Sequence, residues 1–422
     1  MSKKNTKRKQ SKTPHLRVVS RTEDIVRPAL LQTVLGLGLE QVYAIVEEER
    51  TRLCGERYAR VPERTATRAG TAPGELVLGG RRVALRRPRV RTLDGQEVAL
   101  ESWQHFADED PLDERAMEQM AVGVATRKYE RSLEKPGKAV KTRGASKSAV
   151  SRRFVNGTHK RLKELMGRDL SELQLAALML DGLHVGEHVV LIAMGIDEDG
   201  NKHVLGIHEG ATENAAACTG LLGDLRDRGL NTERSILVVI DGSKALHKAV
   251  RDIFGERAMI QRCQEHKVRN VTGHLPKDMQ LNVRRSMKDA YRCGKKSTAK
   301  KMLNNLMRTL AANHPSAASS LEEGLDETLT VIGLGLPRWL ERTLATTNSL
   351  ENLNGHIRQT TRNVKRWRDG TMVLRWIAAA VHEAQKTFRK VRGYKGMPRL
   401  INALRDHDAT LEDALVEEAV VA

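Results

Sequence analysis

The chain has 422 residues, enough for two or three domains with sizeable cores, and carries a formal net charge of +19. No apolar run approaches the roughly 18–20 residues of a membrane span, and the four cysteines are scattered, which argues against membrane-spanning and disulfide-stapled classes. So large a basic excess is typical of proteins with a polyanionic partner, because neutralised phosphates release counterions; a generally basic protein without such a partner is the alternative.

The N-terminal part divides into two regions. Residues 1–20 are cationic with no apolar segment behind them, so we expect a disordered basic arm and not a signal peptide. Residues 21–110 form an N-terminal region that begins with a helix from about Ile25 to Arg60. A stretch rich in Gly, Thr, Ala and Arg follows, from Arg64 to Gly80, and predicts a loop.

An alternating segment closes this region. Residues Arg81–Ser102 predict a hairpin with its turn at Asp94 and Gly95. An arginine-rich face on such a hairpin would suit a DNA backbone; a charged edge that prevents aggregation explains it equally well. The candidate DNA-binding arginines are Arg82, Arg86, Arg87 and Arg89.

Residues 111–170 have the outline of a helix-turn-helix. A helical pattern from Asp113 to about Lys135 is followed by Gly144, which could form a turn, and Ser146, which could cap a second helix. The basic composition favours a DNA-binding role for that second helix. Its candidate contacts are Lys147, Ser148, Ser151, Arg152 and Arg153.

The pattern changes in residues 171–265, which read as three strands, helix, strand, helix, strand. The first three strands can form an antiparallel meander, and the later strands can add in parallel through right-handed crossovers. We therefore predict an α/β fold with a ribonuclease H-like core, a mixed five-stranded sheet with flanking helices. The strand pattern then ends: residues 266–335 are helical and basic, residues 336–392 begin a new helix, and residues 393–422 form a C-terminal tail.

Two aspartates, Asp181 and Asp241, each follow an apolar run that predicts a strand. If the first and fourth strands are neighbours, the two carboxylates lie side by side. Paired like charges are costly unless neutralised, and Mg²⁺ is typically held by carboxylates and phosphate oxygens. Taken singly, Asp241 could instead cap the next helix, and Asp181 with Gly182 could form a turn.

Glu351 is the third candidate acid. With Asn348 as N-cap, Glu351 would stand at the third helical position of a capping box, so stability alone could explain it. The same helical face carries Arg358 and Arg362, which a site for both metal and phosphate would present. Further phosphate contacts near this site are expected from Lys365 and Arg366.

Cys263 and His266 have the spacing of two metal ligands, but a second pair for zinc is missing, so we favour a structural or second-shell role. Other acids are weaker candidates because turn and helix-start roles suffice for them. They are Asp197, Glu198, Asp199, Glu209 and Glu213.

These motifs together resemble bacterial insertion-sequence transposases of the Mutator type, over about residues 111–400. The resemblance is carried by LMLDGLHV, HEGATENA, LRDRGL, VVIDGSKAL, QRCQEHKVRN, TTNSLENLN and RNVKRWRDGTMVLRW. It implies a ribonuclease H-like core in which Asp181, Asp241 and Glu351 are the catalytic Asp-Asp-Glu triad and hold two Mg²⁺ ions, with Mn²⁺ able to substitute. It also implies that an α-helical insertion (266–335) interrupts this core, which resumes over 336–392, and a Cys-x-x-His signature, matched by Cys263 and His266. Cys218 stands where many relatives have tryptophan, so that position is given no role.

The resemblance implies a DNA transposase that binds the terminal inverted repeats of its element and performs metal-dependent strand cleavage and strand transfer on target DNA. Synapsis of two ends implies a homodimer or higher oligomer. We expect a cytoplasmic, nucleoid-associated bacterial protein with no membrane partner. Two alternatives stay open: a metal-dependent nuclease or resolvase on the same fold, and a non-catalytic DNA-binding regulator.

Overall fold

The computed structural model describes residues 37–59, 64–78, 81–108, 117, 142–143, 147–210 and 215–421. The chain forms two compact units, Met1–Phe154 and Val155–Ala422, and each is described by itself. Several predictions lie outside the described residues: the basic arm, the start of the first helix, the helix predicted from Asp113 to Lys135, and the turn at Gly144 and Ser146.

The first unit is built around a four-stranded sheet. Its strands run in the order β1-β2-β3, with β4 also paired to β2, and the pairs are antiparallel. The buried side chains of α1, β1, β2 and α2 form one small core that includes Val46, Val90 and Trp103. The elements are α1 (37–54), β1 (Ala66–Leu78), β2 (Arg81–Thr92), β3 (Glu97–Val98), α2 (Glu101–Asp108) and β4 (Thr142–Arg143), and α3 (Lys147–Met166) runs across the boundary between the units.

The loop predicted from Arg64 to Gly80 is wrong, because strand β1 occupies most of it. β1 pairs with β2 over nearly its full length, and its irregular composition is accommodated by a register shift between Arg68 and Thr71. Gly70, inside that shift, has φ +75°, a conformation that favours glycine. The predicted hairpin is present but short, since only two residues of β3 pair with β2.

The second unit contains a five-stranded sheet in the order β7-β6-β5-β8-β9. β5, β6 and β7 are an antiparallel meander, whereas β8 pairs parallel to β5 and β9 parallel to β8. The mixed five-stranded sheet predicted from the sequence is confirmed. Its strands and intervening helices are β5 (Leu175–Val185), β6 (His188–Asp197), β7 (Lys202–Gly210), α4 (Ala215–Asp227), β8 (Ile236–Ile240), α5 (Lys244–Phe254) and β9 (Ala258–Arg262).

Both faces of this sheet are buried, so successive residues of a strand enter different cores. Met179 belongs to the core covered by the C-terminal helices, and its neighbour Leu178 belongs to the core covered by α4 and α5. The covering C-terminal helices are α11 (Arg338–Leu344), α12 (Asn348–Thr361), α13 (Gly370–Gln385) and α14 (Met397–Val421).

Between β9 and α11 the chain is helical, as predicted, with breaks before Lys277 and before Pro315. This segment has a hydrophobic core of its own, built on residues such as Val271, Met287 and Leu303. Its two ends meet, since the backbone N–H of Gln264 donates to the carbonyl of Ala345 at 3.0 Å. Its helices are α6 (Gln264–Gly273), α7 (Lys277–Arg292), α8 (Lys296–Ala311), α9 (Pro315–Glu322) and α10 (Thr330–Gly333).

The C-terminal tail, for which the sequence predicted no helix, forms the 25-residue helix α14. A tertiary contact holds it: the carboxylate of Asp408 accepts hydrogen bonds from the backbone N–H of Ser235 at 2.8 Å and from Arg257 at 2.8 Å. Such a contact leaves no trace in local periodicity. None of the described helices combines the length and apolar character that crossing a membrane requires.

Candidate active site

Asp181 on β5 and Asp241 directly after β8 stand next to each other, because β5 and β8 are neighbouring strands. β5 and β8 pair in parallel with Met179 opposite Val239, so the same register carried two residues further places Asp181 opposite Asp241. The expectation that β5 ends at Asp181 is wrong. Asp181 lies inside the strand, which continues to Val185 because its second half pairs with β6.

Asp181 is 7% exposed, and its carboxylate accepts a hydrogen bond from the N–H of Gly182 at 3.1 Å. Burial, with smaller effects of the carboxylates of Asp241 and Glu351, raises the pKa of Asp181 to about 6 against the opposing effect of His266. The three acids singled out in the sequence therefore act on one another electrostatically.

Asp241 directly follows β8, as predicted, and is half-buried. Its Oδ1 accepts a hydrogen bond from the N–H of Ser243 at 2.8 Å. The N-cap of α5 is Ser243, whose hydroxyl accepts from the N–H of Leu246 at 3.4 Å, so the alternative that Asp241 caps this helix is wrong. Gly242 has φ +110°, which only glycine adopts readily, and this sharp turn ends the strand at Asp241.

Glu351 lies in the first turn of α12, on a separate segment of the unit. The predicted capping box with Asn348 is wrong, because the N-cap is Thr347 and no side chain caps the helix. Glu351 has a side chain one-third exposed, and its Oε1 accepts a hydrogen bond from Nη2 of Arg269, on α6, at 2.7 Å. The Glu351 carboxylate therefore does not cap the helix.

Cys263 joins the parts of the chain that carry Asp241 and Glu351. Its backbone N–H donates to the carbonyl of Ile240 at 2.7 Å, and its Sγ accepts from the N–H and the hydroxyl of Thr347, both at 3.5 Å. The thiol is 1% exposed. One buried side chain thus connects the end of β8 to the beginning of α12.

His266 lies beside this thiol in the first turn of α6. Its interaction with Cys263 raises the pKa of His266 to about 9 against the opposing effect of burial, with Asp181 and Asp241 adding to the rise. Burial acts to raise the pKa of Cys263, but the interaction with His266 outweighs it and leaves the thiol pKa lowered. Nδ1 of His266 is buried without a hydrogen-bond partner among the described residues.

Within the described part of the chain, no three His, Cys, Asp or Glu side chains are close enough together to form a ready-made metal cluster. The structure brings Asp181 and Asp241 together and couples Glu351 to them electrostatically, while Glu351 is hydrogen-bonded to Arg269. Sequence reasoning missed both Arg269 and Thr347. Arg269 falls six residues after Cys263, within the QRCQEHKVRN motif, and Thr347 lies in TTNSLENLN.

The basic residues expected near the site are exposed. Arg358 is on α12, seven residues after Glu351, and Arg362, Lys365 and Arg366 follow it on the surface. Trp367 anchors this segment: it packs so closely on Gly186 that a Cβ there would lie 2.8 Å from the indole ring. The backbone carrying these cations is therefore fixed to the β5–β6 turn.

The arginines of β2 do not share one face. Successive side chains of a strand alternate, so Arg82 and Arg86 project from one face and Arg87 and Arg89 from the other. Arg89 bonds to Glu97 at 2.7 Å, and Arg86 donates to the hydroxyl of Thr71 at 2.8 Å. The predicted single arginine-rich face is wrong, although Arg82 and Arg86 are exposed.

The second basic candidate set lies on α3, which begins at Lys147. Ser148, Ser151 and Arg152 are exposed and Arg153 is half-buried. Their DNA-binding role stays a prediction.

The weaker acids have other partners. Glu209 lies 2.6 Å from Nδ1 of His188 and packs against Gly370 at the start of α13. Asp197 accepts hydrogen bonds from Asn201 and lies 2.8 Å from a ring nitrogen of His203, which fixes the β6–β7 turn. Cys218 is buried in the core under α4, and Glu213 lies outside the described residues.

The site combines paired acids on a mixed sheet, a third acid after a helical insertion, and surrounding cations. The chain belongs to the Mutator family of transposases, whose family model matches residues 3–391. It is 29% identical over 393 residues to the transposase for insertion sequence element ISRM5 of Rhizobium meliloti, covering 91% of this chain and 92% of that protein.

Other curated relatives are also transposases of insertion sequences. The transposase for insertion sequence element IS256 in transposon Tn4001 of Staphylococcus aureus is 28% identical over 351 residues, covering 80% of this chain and 86% of the relative. The transposase for insertion sequence element IS406 of Burkholderia multivorans is 26% identical over 382 residues, with 87% and 95% covered.

Proposed function

We propose that this chain is the transposase of an insertion sequence, which binds the terminal inverted repeats and catalyses metal-dependent cleavage and strand transfer of DNA. Family membership supports the transposase role. The observation that carries the chemistry is the parallel register of β5 and β8, which sets Asp181 against Asp241 while Glu351 acts on the same buried carboxylate.

A ribonuclease H-like core is part of the proposal. Its support is the strand order β7-β6-β5-β8-β9, with an antiparallel meander followed by two parallel additions. Asp181 on the first strand, Asp241 after the fourth, and Glu351 on a helix after an α-helical insertion fit the positions of an Asp-Asp-Glu triad in such a core.

The donor set fits a hard divalent cation. Three carboxylates supply oxygen ligands of the type that Mg²⁺ takes, and the raised pKa of Asp181 marks a buried carboxylate whose charge His266 offsets only in part. In the proposal, Asp181 and Asp241 would hold one ion, and Asp181 and Glu351 a second. Bound there, the two ions would supply charge neutralisation at the attacking and leaving oxygens of phosphoryl transfer.

The chain's own residues define where this happens. Gly242 turns the backbone away directly after Asp241, and Cys263 holds the β8 end and the start of α12 in one place. In the proposal, Glu351 would exchange its hydrogen bond with Arg269 for a place beside the two aspartates. The exposed Arg358, on the same helix, would bind a phosphate of the DNA.

The DNA partner is supported by the net charge of +19 and by the family. Terminal repeats would be recognised through the region of α3 and through exposed arginines of β2. Joining two ends requires at least two copies of the chain in the synaptic complex.

The test is strand transfer with Mg²⁺ on pre-cleaved ends taken from the DNA that flanks the coding sequence. Asp181→Ala, Asp241→Ala and Glu351→Ala are compared with the matched control Asp199→Ala, an exposed acid of the β6–β7 turn. We expect the three triad variants to lose joining while still binding DNA, because their lysines and arginines are unchanged, and the control to join like wild type.

Near wild-type joining by any triad variant would remove that residue from the site. Cleavage by wild type without joining of ends to target DNA would favour a nuclease or resolvase. If neither wild type nor any variant joins ends, while all of them bind DNA and regulate gene expression equally, the chain is a DNA-binding regulator.

A further inference from the structure

Two exposed aromatic rings lie among cations on a surface that the candidate active site does not include. Trp339 of α11 is 46% exposed, and the guanidinium carbon of Arg392 lies 3.5 Å from the centroid of its ring. Arg342 lies 5.4 Å from the same ring, and Nζ of Lys390 lies 5.3 Å from the ring of Tyr394, which is 42% exposed. We call these five residues the α11 basic surface.

The backbone beneath the α11 basic surface is held firmly. The hydroxyl of Thr343 donates to the carbonyl of Arg392 at 3.0 Å, and the N–H of Val391 donates to the carbonyl of Gly200 at 2.8 Å. Gly393 has φ +88° and packs on α11 so tightly that a Cβ would lie 2.4 Å from the N of Leu340. The cations are therefore presented from a fixed support.

The chain segment that carries Lys390 and Arg392 is one-sided in charge, although the β6–β7 turn on which it packs contributes the exposed Asp199. Residues 386–399 contain six lysines and arginines and no acid. Within the described part of the chain, no ion pair joins Arg342, Lys390 or Arg392 to a carboxylate; their neighbours Arg338, Arg389, Lys395 and Arg399 are also exposed. The nearby Glu341, the one acid of α11, is half-buried, and burial raises its pKa.

Aromatic rings under arginines limit the number of conformations that each guanidinium samples. Cation–π contacts at exposed sites are worth roughly 0.5–1 kcal/mol, enough to favour one arrangement. Charge that is already ordered loses less entropy when it meets a ligand. The ligand that fits a fixed row of unpaired cations is a row of phosphates.

The α11 basic surface lies far from Asp181, as the length of strand β5 between them shows. Its anchor, Gly200, is in the β6–β7 turn beside Asp197, which pairs with Leu175 at the start of β5. Asp181 is six residues further along β5, or about 20 Å at roughly 3.3 Å per residue. Duplex DNA rises ~3.4 Å per base pair, so a distance of about 20 Å between Asp181 and the anchor of the α11 basic surface corresponds to about six base pairs.

We propose that the α11 basic surface binds the phosphate backbone of duplex DNA at least about six base pairs from the reacting phosphate, and so holds the DNA that flanks the cut. This inference rests on the proposed function for the position of the cut, but the binding itself needs no catalysis. The arginines and lysine contact phosphates, and Trp339 and Tyr394 hold them in place.

The test measures DNA binding by the full chain in EDTA, which prevents chemistry. A triple variant, Arg342→Ala, Lys390→Ala and Arg392→Ala, is compared with a charge-matched control of Arg292→Ala, Lys301→Ala and Arg308→Ala on α7 and α8, exposed cations of the helical insertion. Two duplex ends are used, one extending three base pairs beyond the cut and one extending fifteen. Unfolding midpoints check that both variants are folded.

On the long duplex we expect the surface variant to bind roughly tenfold more weakly, and its slope of log affinity against log salt to fall by about 2.7, or ~0.9 for each of three phosphate contacts. On the short duplex the ratio to wild type should be near one. Trp339→Ala should weaken binding to the long duplex with the slope nearly unchanged, and Trp339→Phe should restore it.

An equal loss on both duplexes, or an equal loss in the control, would overturn the assignment. Tighter binding of single-stranded than of duplex DNA, lost in Trp339→Ala, would show base stacking in place of backbone binding. If wild type fails to join ends, but the surface variant still binds the long duplex more weakly and the short duplex normally, then the proposed function is wrong. The assignment of the α11 basic surface as a DNA-binding surface remains.

Discussion

Asp181→Asn separates the cost of a buried charge from the packing of the side chain, because asparagine has nearly the same shape. The folded pKa of Asp181 is about 6, against 3.8 for an unperturbed aspartate. As pH rises, the unfolded chain ionises first, so stability is lost between about pH 3.8 and 6. A difference of about two pH units corresponds to roughly 3 kcal/mol, at ~1.36 kcal/mol per unit.

We therefore expect Asp181→Asn to be more stable than wild type by up to roughly 3 kcal/mol at pH 7 in EDTA, and to show no such gain at pH 3. Urea unfolding followed by tryptophan fluorescence reports mainly on the second unit, which contains Trp339, Trp367 and Trp376. The control Asp199→Asn, in an exposed turn, should change the free energy of unfolding by less than about 0.5 kcal/mol.

Mg²⁺ provides a second arm of the same experiment. At a hundredfold excess over its dissociation constant, the ion should stabilise wild type at pH 7 by about 2.7 kcal/mol and Asp181→Asn by much less. The reasoning is refuted if Asp181→Asn is less stable than wild type at pH 7 in EDTA, or if the difference between them does not change from pH 3 to pH 7.

Three further outcomes follow from described contacts. Arg269→Gln should lower the Mg²⁺ concentration for half-maximal strand transfer up to about fivefold, since a partly exposed ion pair with Glu351 is worth ~0.2–1 kcal/mol and competes with the metal. Gln261→Leu should destabilise the second unit by about 2–5 kcal/mol in urea, because this buried amide bonds three backbone groups of β9 and the helical insertion. Gly242→Ala should cost about 1–3 kcal/mol from its φ of +110°, while Gly223→Ala, within α4 and free of close neighbours, should stabilise by ~0.5–1 kcal/mol.

Each outcome has a contrary result. A higher Mg²⁺ requirement in Arg269→Gln would mean that the arginine positions Glu351 for the metal. Wild-type stability in Gln261→Leu would mean that water replaces the amide, and equal effects of the two glycine changes would mean that backbone conformation at Gly242 is unimportant.

The sheet of the second unit could be predicted because hydrophobic runs and helical periods alternate cleanly there. The β5 strand illustrates the limit: its apolar run stops at Asp181, yet the strand continues to Val185 because β6 supplies hydrogen-bond partners. A polar residue inside a strand can be read from the sequence only when the pairing partner is known. Pairing with a distant partner also explains β1 (Ala66–Leu78): its glycine and proline are typical of loops, but it forms a strand because it pairs with β2.

The sequence predicted which acids form the candidate site, but it predicted their local structure only in part. Glu351 was expected in a capping box, but it is held by Arg269 from a helix 82 positions earlier in the chain. Contacts over such separations depend on how the helical insertion folds back, which no local pattern encodes. Cys263 and His266 were recognised by spacing, whereas the contact of Cys263 with Thr347 required the structure.

The hydrogen bond between Gln264 and Ala345 closes the helical insertion at its base. A segment whose ends are neighbours, and which buries its own core, can lengthen or shorten without changing the separation of the elements on either side. The separation of Asp241 and Glu351 is therefore set at this base, where Cys263 contacts Thr347, and not by the helices beyond it. The more distant helices α7 and α8 are where the insertion can change in length without moving either acid.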